Sequence, residues 1–337
     1  MFFGPFLRLC SQDGIYSQLS SSPVYVNPAL TGIFDGQYRL GGAYRNQWFK
    51  VAPGSSFSDI NLFFDTKFNI SGDNYFGLGI DISNSNSGLA KISTATGGLS
   101  LSYMQRLSYD KFTSTSRFLV FGAQALYGII YSDISGYSFG NQFDKQNLVF
   151  DPNIDSGENI LSSASLMDLG AGILYFSSNN SGSFYIGLSM FHINKPIYSL
   201  ISGSSDKLNS RFTFLIGGEK KINKDLSLLP ALTINYQNHF KRIMAGSNIR
   251  ILYSNSSENY LRFGAWTTIL NYGSGIEFAD FILNTTLNFT SLEIGFSYDI
   301  NIGKNSIVAG GNGAFELNFK YIFGNTPKKY KIICPRL

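Results

Sequence analysis

The chain has 337 residues, with 14% charged residues, 15% aromatic residues and a formal net charge of +4. Soluble domains average roughly 25% charged residues, so this charge content is low for a soluble protein. The mean hydropathy is +0.01, and no apolar run approaches the roughly 18 residues that a transmembrane helix needs. These values exclude a helical membrane protein and favour a transmembrane β-barrel, in which lipid-facing and lumen-facing residues alternate. The mild, scattered positive charge also argues against a nucleic-acid partner.

The chain divides into four parts by composition. Residues 1–11 are apolar but short and lack a basic region, so we interpret them as a signal-peptide remnant. Residues 12–36 precede the first predicted strand, and we interpret them as an N-terminal segment that lies in the periplasm or plugs the barrel. Residues 37–324 carry the strand pattern and predict the barrel. Residues 325–337 are interpreted as a periplasmic C-terminal tail.

The first predicted strand, residues 37–49, alternates between two kinds of side chain. One set is mostly apolar and includes Tyr38 and Trp48, whereas the other set carries Arg39 and Arg45. A period of two gives a strand two different faces. In an outer-membrane barrel the apolar face contacts lipid and the arginines point into a polar lumen. In a soluble β-sandwich, the third reading we consider, the apolar face would pack on a core.

The same alternation recurs along the chain and predicts an all-β fold, a transmembrane antiparallel β-barrel of about 14 strands. Each strand approaches the roughly 9–11 residues that cross a bilayer when tilted. An even strand number suits a bacterial outer-membrane barrel with both termini periplasmic. The predicted strands centre on residues 37–49, 59–65, 76–82, 99–106, 119–131, 168–175, 184–190, 212–219, 226–236, 243–253, 261–269, 276–278, 292–299 and 315–323.

The predicted connections alternate in length, as they do in outer-membrane barrels with short periplasmic turns. The two longest, 133–165 and 194–209, both fall in the set predicted to face the outside. A soluble sandwich gives no reason for this alternation. The predicted periplasmic turns are 69–73, 108–112, 178–182, 222–225, 254–259 and a bend near Asn284.

Charged residues occupy the less apolar face of many strands. A charge buried in a barrel needs a partner of opposite sign, so these residues predict either an internal ion-pair network that braces the barrel or the lining of a selective channel. We favour the bracing network. The predicted lumen charges are Arg39, Asp65, Asp81, Arg106, Asp168, Glu219, Arg262, Glu277, Glu293 and Glu316.

The sequence offers little catalytic chemistry. Neither His192 nor His239 stands in a metal-ligand spacing or beside an activated nucleophile. Cys10 and Cys334 are too few for a disulfide framework or a four-ligand zinc site. We therefore expect no catalytic residue, no metal and no cofactor, and we predict that the protein is not an enzyme.

Short motifs stand at both ends of the chain. In chain order they are Gln12-Asp13, Tyr16-Ser17-Gln18, Asn27-Pro28-Ala29, Arg45-Asn46-Gln47-Trp48 and Cys334-Pro335-Arg336. Each motif is weakly specific, but their ordered combination resembles the PorP/SprF family, outer-membrane proteins of the Bacteroidetes type IX secretion system. Leu337 departs from the pattern, because the family usually ends on an aromatic residue.

The resemblance implies a non-enzymatic barrel that assists the secretion, anchoring or surface display of adhesins, with gliding motility as one such setting. The implied partners are outer-membrane lipid, a secreted adhesin with a C-terminal secretion domain, and periplasmic secretion-system ring or peptidoglycan-binding proteins. The motif at 27–29 is equally compatible with a turn that plugs the barrel. The candidate partner-binding residues are Tyr16, Ser17, Gln18, Asn27, Pro28, Arg45, Gln47, Trp48, Pro335 and Arg336.

A second class of function remains open at this point, a passive outer-membrane channel for small or apolar solutes. Long-chain fatty-acid transporters are similar in strand number and also carry an N-terminal hatch. An open lumen would favour the channel, whereas ordered and apolar-tipped outer segments would favour contact with another protein.

Overall fold

The alternating segments pair edge to edge in chain order and close into an antiparallel β-barrel of fourteen strands. The computed structural model describes residues 14, 16–50, 56–87, 92–132, 140–144, 147, 149–151, 153–154, 157, 159–254, 259–271, 275–303, 306 and 310–324. The signal-peptide remnant predicted at 1–11, the tail at 325–337, both cysteines and the candidate residues Pro335 and Arg336 lie outside the described residues.

The barrel strands are preceded by helix α1 (Pro23–Val26) and a 3-10 helix (Pro28–Leu30). No helix among the described residues is long and apolar enough to cross a membrane. Two short strands, Phe143–Asp144 and Val149–Phe150, form a separate two-stranded sheet between the fifth and sixth strands of the barrel wall. The strands are β1 (Tyr38–Gln47), β2 (Phe57–Ser71), β3 (Asn74–Ser87), β4 (Ile92–Asp110), β5 (Thr115–Ser132), β6 (Phe143–Asp144), β7 (Val149–Phe150), β8 (Ser163–Asn179), β9 (Gly182–Phe191), β10 (Arg211–Lys221), β11 (Leu226–Gln237), β12 (Phe240–Ser254), β13 (Asn259–Asn271), β14 (Ile276–Phe289), β15 (Leu292–Asn301) and β16 (Asn312–Phe323).

The barrel closes where β1 meets β16. Their register runs without a shift from Tyr38 opposite Phe323 to Gln47 opposite Ala314. Because a closed sheet has no free edge, the backbone hydrogen bonds of its strands are satisfied within the wall. The fold class and strand number predicted from the period of two are confirmed.

The two faces of β1 are those that the sequence predicts. Tyr38 and Leu40 are 37% and 41% exposed on the outer wall, whereas Arg39 between them is only 4% exposed and points inward. Leucine, isoleucine and phenylalanine side chains are exposed in the same way along the other strands. An apolar outer wall is suited to contact with lipid.

The lumen is less polar than the sequence suggests. A cluster of buried apolar side chains occupies part of it, and Phe118 and Phe176 stack there with ring centroids 4.9 Å apart. Leu19, Leu30 and Ile33 of the N-terminal segment belong to the same cluster. The barrel interior is therefore packed in this region in the manner of a protein core.

Connections at the two barrel ends differ in length. The end where β1 begins and β16 stops carries the turns 72–73, 111–114, 180–181, 222–225 and 290–291 between strands, and we call it the short-turn end. The opposite end carries the connections 133–162 and 192–210, the two longest between barrel strands.

The bend predicted near Asn284 is wrong. Asn284 lies in the middle of β14, opposite Ser297 of β15 and Gly264 of β13. The chain turns instead after Phe289, where Thr290 adopts a left-handed φ of 57°. Asn284 resembles a turn residue in the sequence because a polar lumen position and a polar turn select the same residue type.

Residues 140–162 and 192–210, as far as they are described, join each other at the end opposite the short turns, which we label the outer end, and we call these residues the outer cap. Isolated β-bridges link Ile160 to Ile201 and Ile197 to Lys207. The Tyr198 hydroxyl hydrogen-bonds to Thr94 Oγ1 of β4 at 2.8 Å. Since β8 and β5 separate β4 from β9 in the wall, the second long connection spans several strands of the rim.

Candidate functional site

The described residues 16–36, which we call the N-terminal segment, lie inside the barrel. The segment shares hydrogen bonds with β1, β2, β4, β8, β9, β10 and β13 to β16. Contacts on so many strands are possible only for a segment within the lumen. The candidate functional site is therefore the lumen together with this segment.

The Asn27-Pro28 motif forms a turn that ties the segment to one side of the wall. Asn27 Oδ1 accepts a hydrogen bond from the backbone N–H of Ala29 at 2.9 Å, which caps the 3-10 helix. Asn27 Nδ2 donates to the backbone oxygens of Ile173 and Leu188, each at 3.2 Å. Pro28 occupies the first helical position, where its fixed φ suits the turn.

Glycines on the inner wall let the segment approach closely at this turn. A Cβ atom on Gly122 of β5 would lie 2.2 Å from the backbone nitrogen of Ala29. A Cβ atom on Gly172 of β8 would lie 2.0 Å from Asn27 Oδ1. Both distances are far below contact distance, so the turn needs a wall without side chains at these two positions.

The first part of the segment binds the carboxylates next to the closing seam. The backbone N–H of Ser17 donates to Glu316 Oε2 at 2.6 Å, and the Ser21 hydroxyl donates to Glu316 Oε1. Ser17 Oγ donates to Asp299 at 2.8 Å. Arg45 pairs with Asp299 at 2.7 Å and also donates to Ser17 Oγ.

The last part of the segment binds a second ion pair nearer the short-turn end. Asp65 accepts from Arg39 Nη2 at 2.7 Å and from the backbone N–H of Gly32 at 2.7 Å. Arg39 Nη2 also donates to the Leu30 oxygen at 3.2 Å, and its guanidinium lies 4.7 Å from the centre of the Phe34 ring. One buried ion pair thus serves both the wall and the segment, which is the arrangement a buried charge requires.

Other predicted lumen charges also pair across neighbouring strands. Arg262 and Lys320 both pair with Glu293 at 2.9 Å. Glu219 pairs with Arg250 at 2.5 Å. These contacts fit an internal network that braces the wall, the alternative favoured from the sequence.

Four predicted lumen charges lie apart from this network. Asp81 accepts from Asn61 at 2.6 Å, and Asp168 lies 2.8 Å from His192 Nδ1. Arg106 pairs with Asp73 next to the turn that joins β2 and β3. Glu277 is half-buried beside Gly303 at the outer end.

Sequence reasoning missed several residues of the site. Asp299, Arg250 and Arg242 are buried in the lumen, but none was among the predicted lumen charges. Asp299 follows Glu293 at an even spacing on β15, a signal that could have placed it on the inner face. Arg242 and Arg250 share an even spacing on β12, whose apolar pattern is irregular and conceals them.

The candidate partner-binding residues fall into three groups. Tyr16, Ser17, Gln18, Asn27, Pro28 and Arg45 are buried in the lumen. Gln47 and Trp48 are half-buried at the outer end, where Trp48 has a φ of 59° and donates its N–H to the Gly313 oxygen at 2.8 Å. Pro335 and Arg336 lie outside the residues that the structure describes. The buried group is thus held by contacts within the chain.

Burial also affects the protonation of Tyr16, which lies in the segment outside the strands. Two effects raise the pKa of the Tyr16 phenol far above its ordinary range. Removal from water is the larger effect, and the nearby charge of Asp59 is the second. The phenol is therefore neutral at physiological pH.

Small cavities lie between the segment and the described part of the wall, among them two that Gln18 lines. The first, of about 10 Å³, is lined by residues that include Gln18, Tyr185 and Trp266. The second, of about 30 Å³, is lined by residues that include Gln18 and Arg242. Volumes of this size admit one or two water molecules or a small ion and not an organic solute.

The described part of the chain offers little support for a metal site or for an activated nucleophile. No group of three or more His, Cys, Asp and Glu side chains is placed there to hold a metal ion. The Ser210 hydroxyl donates to the backbone oxygen of His192 at 3.0 Å, and the His192 ring contacts Asp168. The prediction that the protein is not an enzyme stays a prediction.

A closed fourteen-stranded barrel with an apolar outer wall and a charged lumen defines an outer-membrane β-barrel protein. The model of a family described as "Type IX secretion system membrane protein PorP/SprF" matches residues 9–321. The chain belongs to this family, as its motifs indicated.

Solved structures with a similar fold are outer-membrane barrels. The Ralstonia pickettii toluene transporter TbuX is 10% identical with a TM-score of 0.50, and the alignment covers 90% of this chain and 94% of that one. A Pseudomonas aeruginosa FadL homologue is 13% identical with a TM-score of 0.45, with the same coverages. At this identity the likeness to TbuX shows the fold alone. No curated protein matches the chain.

Proposed function

We propose that the protein is a non-enzymatic barrel of the type IX secretion system that anchors or displays a secreted adhesin on its outer cap. The observation that carries the proposal is the N-terminal segment, which fills the lumen and bonds to strands around the wall. A filled lumen offers no path for a polypeptide or an organic solute. The barrel then acts through its surfaces, with outer-membrane lipid around its wall.

The outer cap is suited to contact with another protein. Phe150, Ile197 and Ile201 are each more than half exposed, at 52%, 53% and 51%. These side chains stand on the outer connections, beyond the strands that cross the membrane. Exposed apolar side chains at the end of a membrane barrel are available for contact with another protein. An adhesin with a C-terminal secretion domain is the partner that we propose for this surface.

The short-turn end is the side that we propose to face the periplasm, because outer-membrane barrels carry their short turns there. Strand β1 begins and strand β16 ends on this side. Periplasmic ring or peptidoglycan-binding proteins would therefore meet the barrel at this end. We keep the prediction that both termini are periplasmic as part of the proposal.

Co-purification tests the adhesin proposal. The barrel is extracted from outer membranes in mild detergent, and the associated proteins are identified by mass spectrometry. We expect a large adhesin with a C-terminal secretion domain to accompany the wild type and to be lost in the Ile197→Ser/Ile201→Ser variant.

Phe112→Ser is the matched control, since Phe112 is 101% exposed in a turn at the opposite end. It should retain the adhesin. If the wild type purifies without an adhesin and conducts ions in planar bilayers, the proposal fails and the channel function takes its place.

A further inference from the structure

We propose that the lumen contains a binding site for one monoatomic anion, chloride being the natural occupant, at the joint between the N-terminal segment and strands β10 to β12. The site is the cavity of about 30 Å³ described above. Its wall side includes Arg211, Thr233 and Arg242, and its segment side includes Tyr16 and Gln18. No acidic residue is among the residues that line it.

Arg242 supplies the first reason for an anion. Its side chain is buried, with 5% of the residue exposed, and its Nη2 lies 3.8 Å from the sulfur of Met244. Within the described part of the chain, no carboxylate oxygen comes within the 4.0 Å of an ion pair with Arg242. A buried guanidinium without such a partner is costly, because its charge has lost water and gained little in return.

Carboxylates do act on Arg242 from a greater distance. Asp299, Asp280 and Glu316 attract its charge through space, and Arg45 opposes it. Arg45 already pairs with Asp299, and Glu316 already accepts hydrogen bonds from the segment. These acids therefore reduce the cost of burying Arg242 without contacting it from the cavity side.

Gln18 supplies the second and independent reason. The residue is 5% exposed, and its Nε2 has no acceptor among the described residues. Its Oε1 accepts from Thr286 Oγ1 at 3.5 Å. Gln18 lines the cavity, and a buried amide N–H₂ group that lacks an acceptor is a donor suited to an anion.

Arg211 adds a second positive charge to the same cavity. Its guanidinium lies between two rings, 4.4 Å from the centre of Tyr25 and 4.3 Å from that of Phe191. It also donates to the Tyr25 oxygen at 3.1 Å. These contacts fix the guanidinium in place, so its positive field at the cavity is preorganised.

The chemistry and the size together select the ligand. Two guanidinium groups and an amide donor with no acid among them favour a negative charge. One water molecule needs roughly 10–15 Å³ of this kind of volume, so a cavity of about 30 Å³ holds one or two particles of that size and favours a monoatomic ion over phosphate or a carboxylic acid. A water molecule could accept from Gln18 but would bring no negative charge to Arg242.

The location of the site means that a bound anion affects the stability of the N-terminal segment. One side of the site belongs to the segment and the other to the wall, so the complete site exists only when the segment is seated in the lumen. A ligand that binds only this arrangement stabilises it by mass action. Chloride would therefore hold the N-terminal segment in place.

Bromide is the probe that tests the site directly. Crystals of the detergent-purified barrel are soaked in sodium bromide, and anomalous diffraction is recorded at the bromine absorption edge. We expect one anomalous peak between Arg242 and Gln18, and we expect no peak there in crystals of Arg242→Met. Absence of the peak from wild-type crystals, or its persistence in Arg242→Met, overturns the proposal.

A solution measurement covers the case in which Arg242→Met does not fold. The unfolding temperature is compared in sodium chloride and in sodium gluconate at equal ionic strength, because gluconate is too large for the cavity. We expect a higher temperature in chloride for the wild type and for Arg117→Met, an arginine at the exposed end of β5. Gln18→Met preserves side-chain length and removes the donor, so the chloride advantage should shrink. An equal advantage in Gln18→Met and the wild type rejects the site.

Discussion

Asp65 shows at the scale of one residue how the wall and the N-terminal segment depend on each other. Its carboxylate accepts from Arg39 of the neighbouring strand and from the backbone of Gly32 in the segment. The sequence places Arg39 and Asp65 on inner faces because each alternates with apolar neighbours. Their pairing follows from the register of β1 and β2, in which they stand directly opposite each other.

Replacing Asp65 by asparagine should strongly destabilise the barrel. The variant keeps the shape of the side chain but leaves Arg39 buried without a counter-charge, which costs about 3–5 kcal/mol in comparable buried pairs. The free energy of unfolding, measured by urea titration of the barrel in lipid vesicles, checks this. Asp225→Asn, in the exposed turn between β10 and β11, is the control. A loss below about 0.5 kcal/mol, the usual size for surface substitutions, would contradict the argument.

A methyl group on Gly122 should disturb the segment more than the wall. The new Cβ would overlap the backbone of Pro28 and Ala29, and overpacking of this kind costs typically about 1–3 kcal/mol. We expect faster proteolysis within residues 16–36 in Gly122→Ala. Gly97→Ala is the matched control, since its nearest neighbouring atom would be 3.7 Å away. Equal cleavage rates in the two variants would show that the close contact is unimportant.

At the scale of elements, the period of two is a strong signal because each strand must present one face to lipid and one to the lumen. All fourteen barrel strands were predicted for that reason. The path of the N-terminal segment was not, because its hydrogen bonds join residues as far apart in sequence as Ser17 and Glu316. No local pattern encodes such a contact, so the sequence left plug and partner docking equally open.

Removal of the N-terminal segment should open the barrel. Without residues 16–34 the lumen loses the apolar side chains and the turn that fill it, and its charged wall becomes accessible to water. We expect no steady ion conductance from the wild type in planar bilayers and a measurable conductance from the deletion variant. A conducting wild type would mean that the segment does not seal the lumen.

The two ends of the barrel differ in the length of their connections, and this asymmetry predicts the orientation of the whole molecule. Ile201 is 51% exposed on the outer cap, and Phe112 is fully exposed in a turn at the short-turn end. In cells that produce a variant without Cys10 and Cys334, a membrane-impermeant maleimide should label Ile201→Cys and spare Phe112→Cys until the outer membrane is broken. The reverse pattern would place the short turns outside.

The seam between β1 and β16 has a consequence for how the barrel is made. Glu316 on the last strand bonds to Ser17 and Ser21, while Arg45 on the first strand bonds to Ser17 and to Asp299 of β15. The final pairing of the wall therefore takes place around a piece of chain that precedes the first strand. In biogenesis, the N-terminal segment is in position to act as a template on which the two outermost strands meet. We therefore expect variants that lack these serine or carboxylate groups to close the barrel more slowly during assembly.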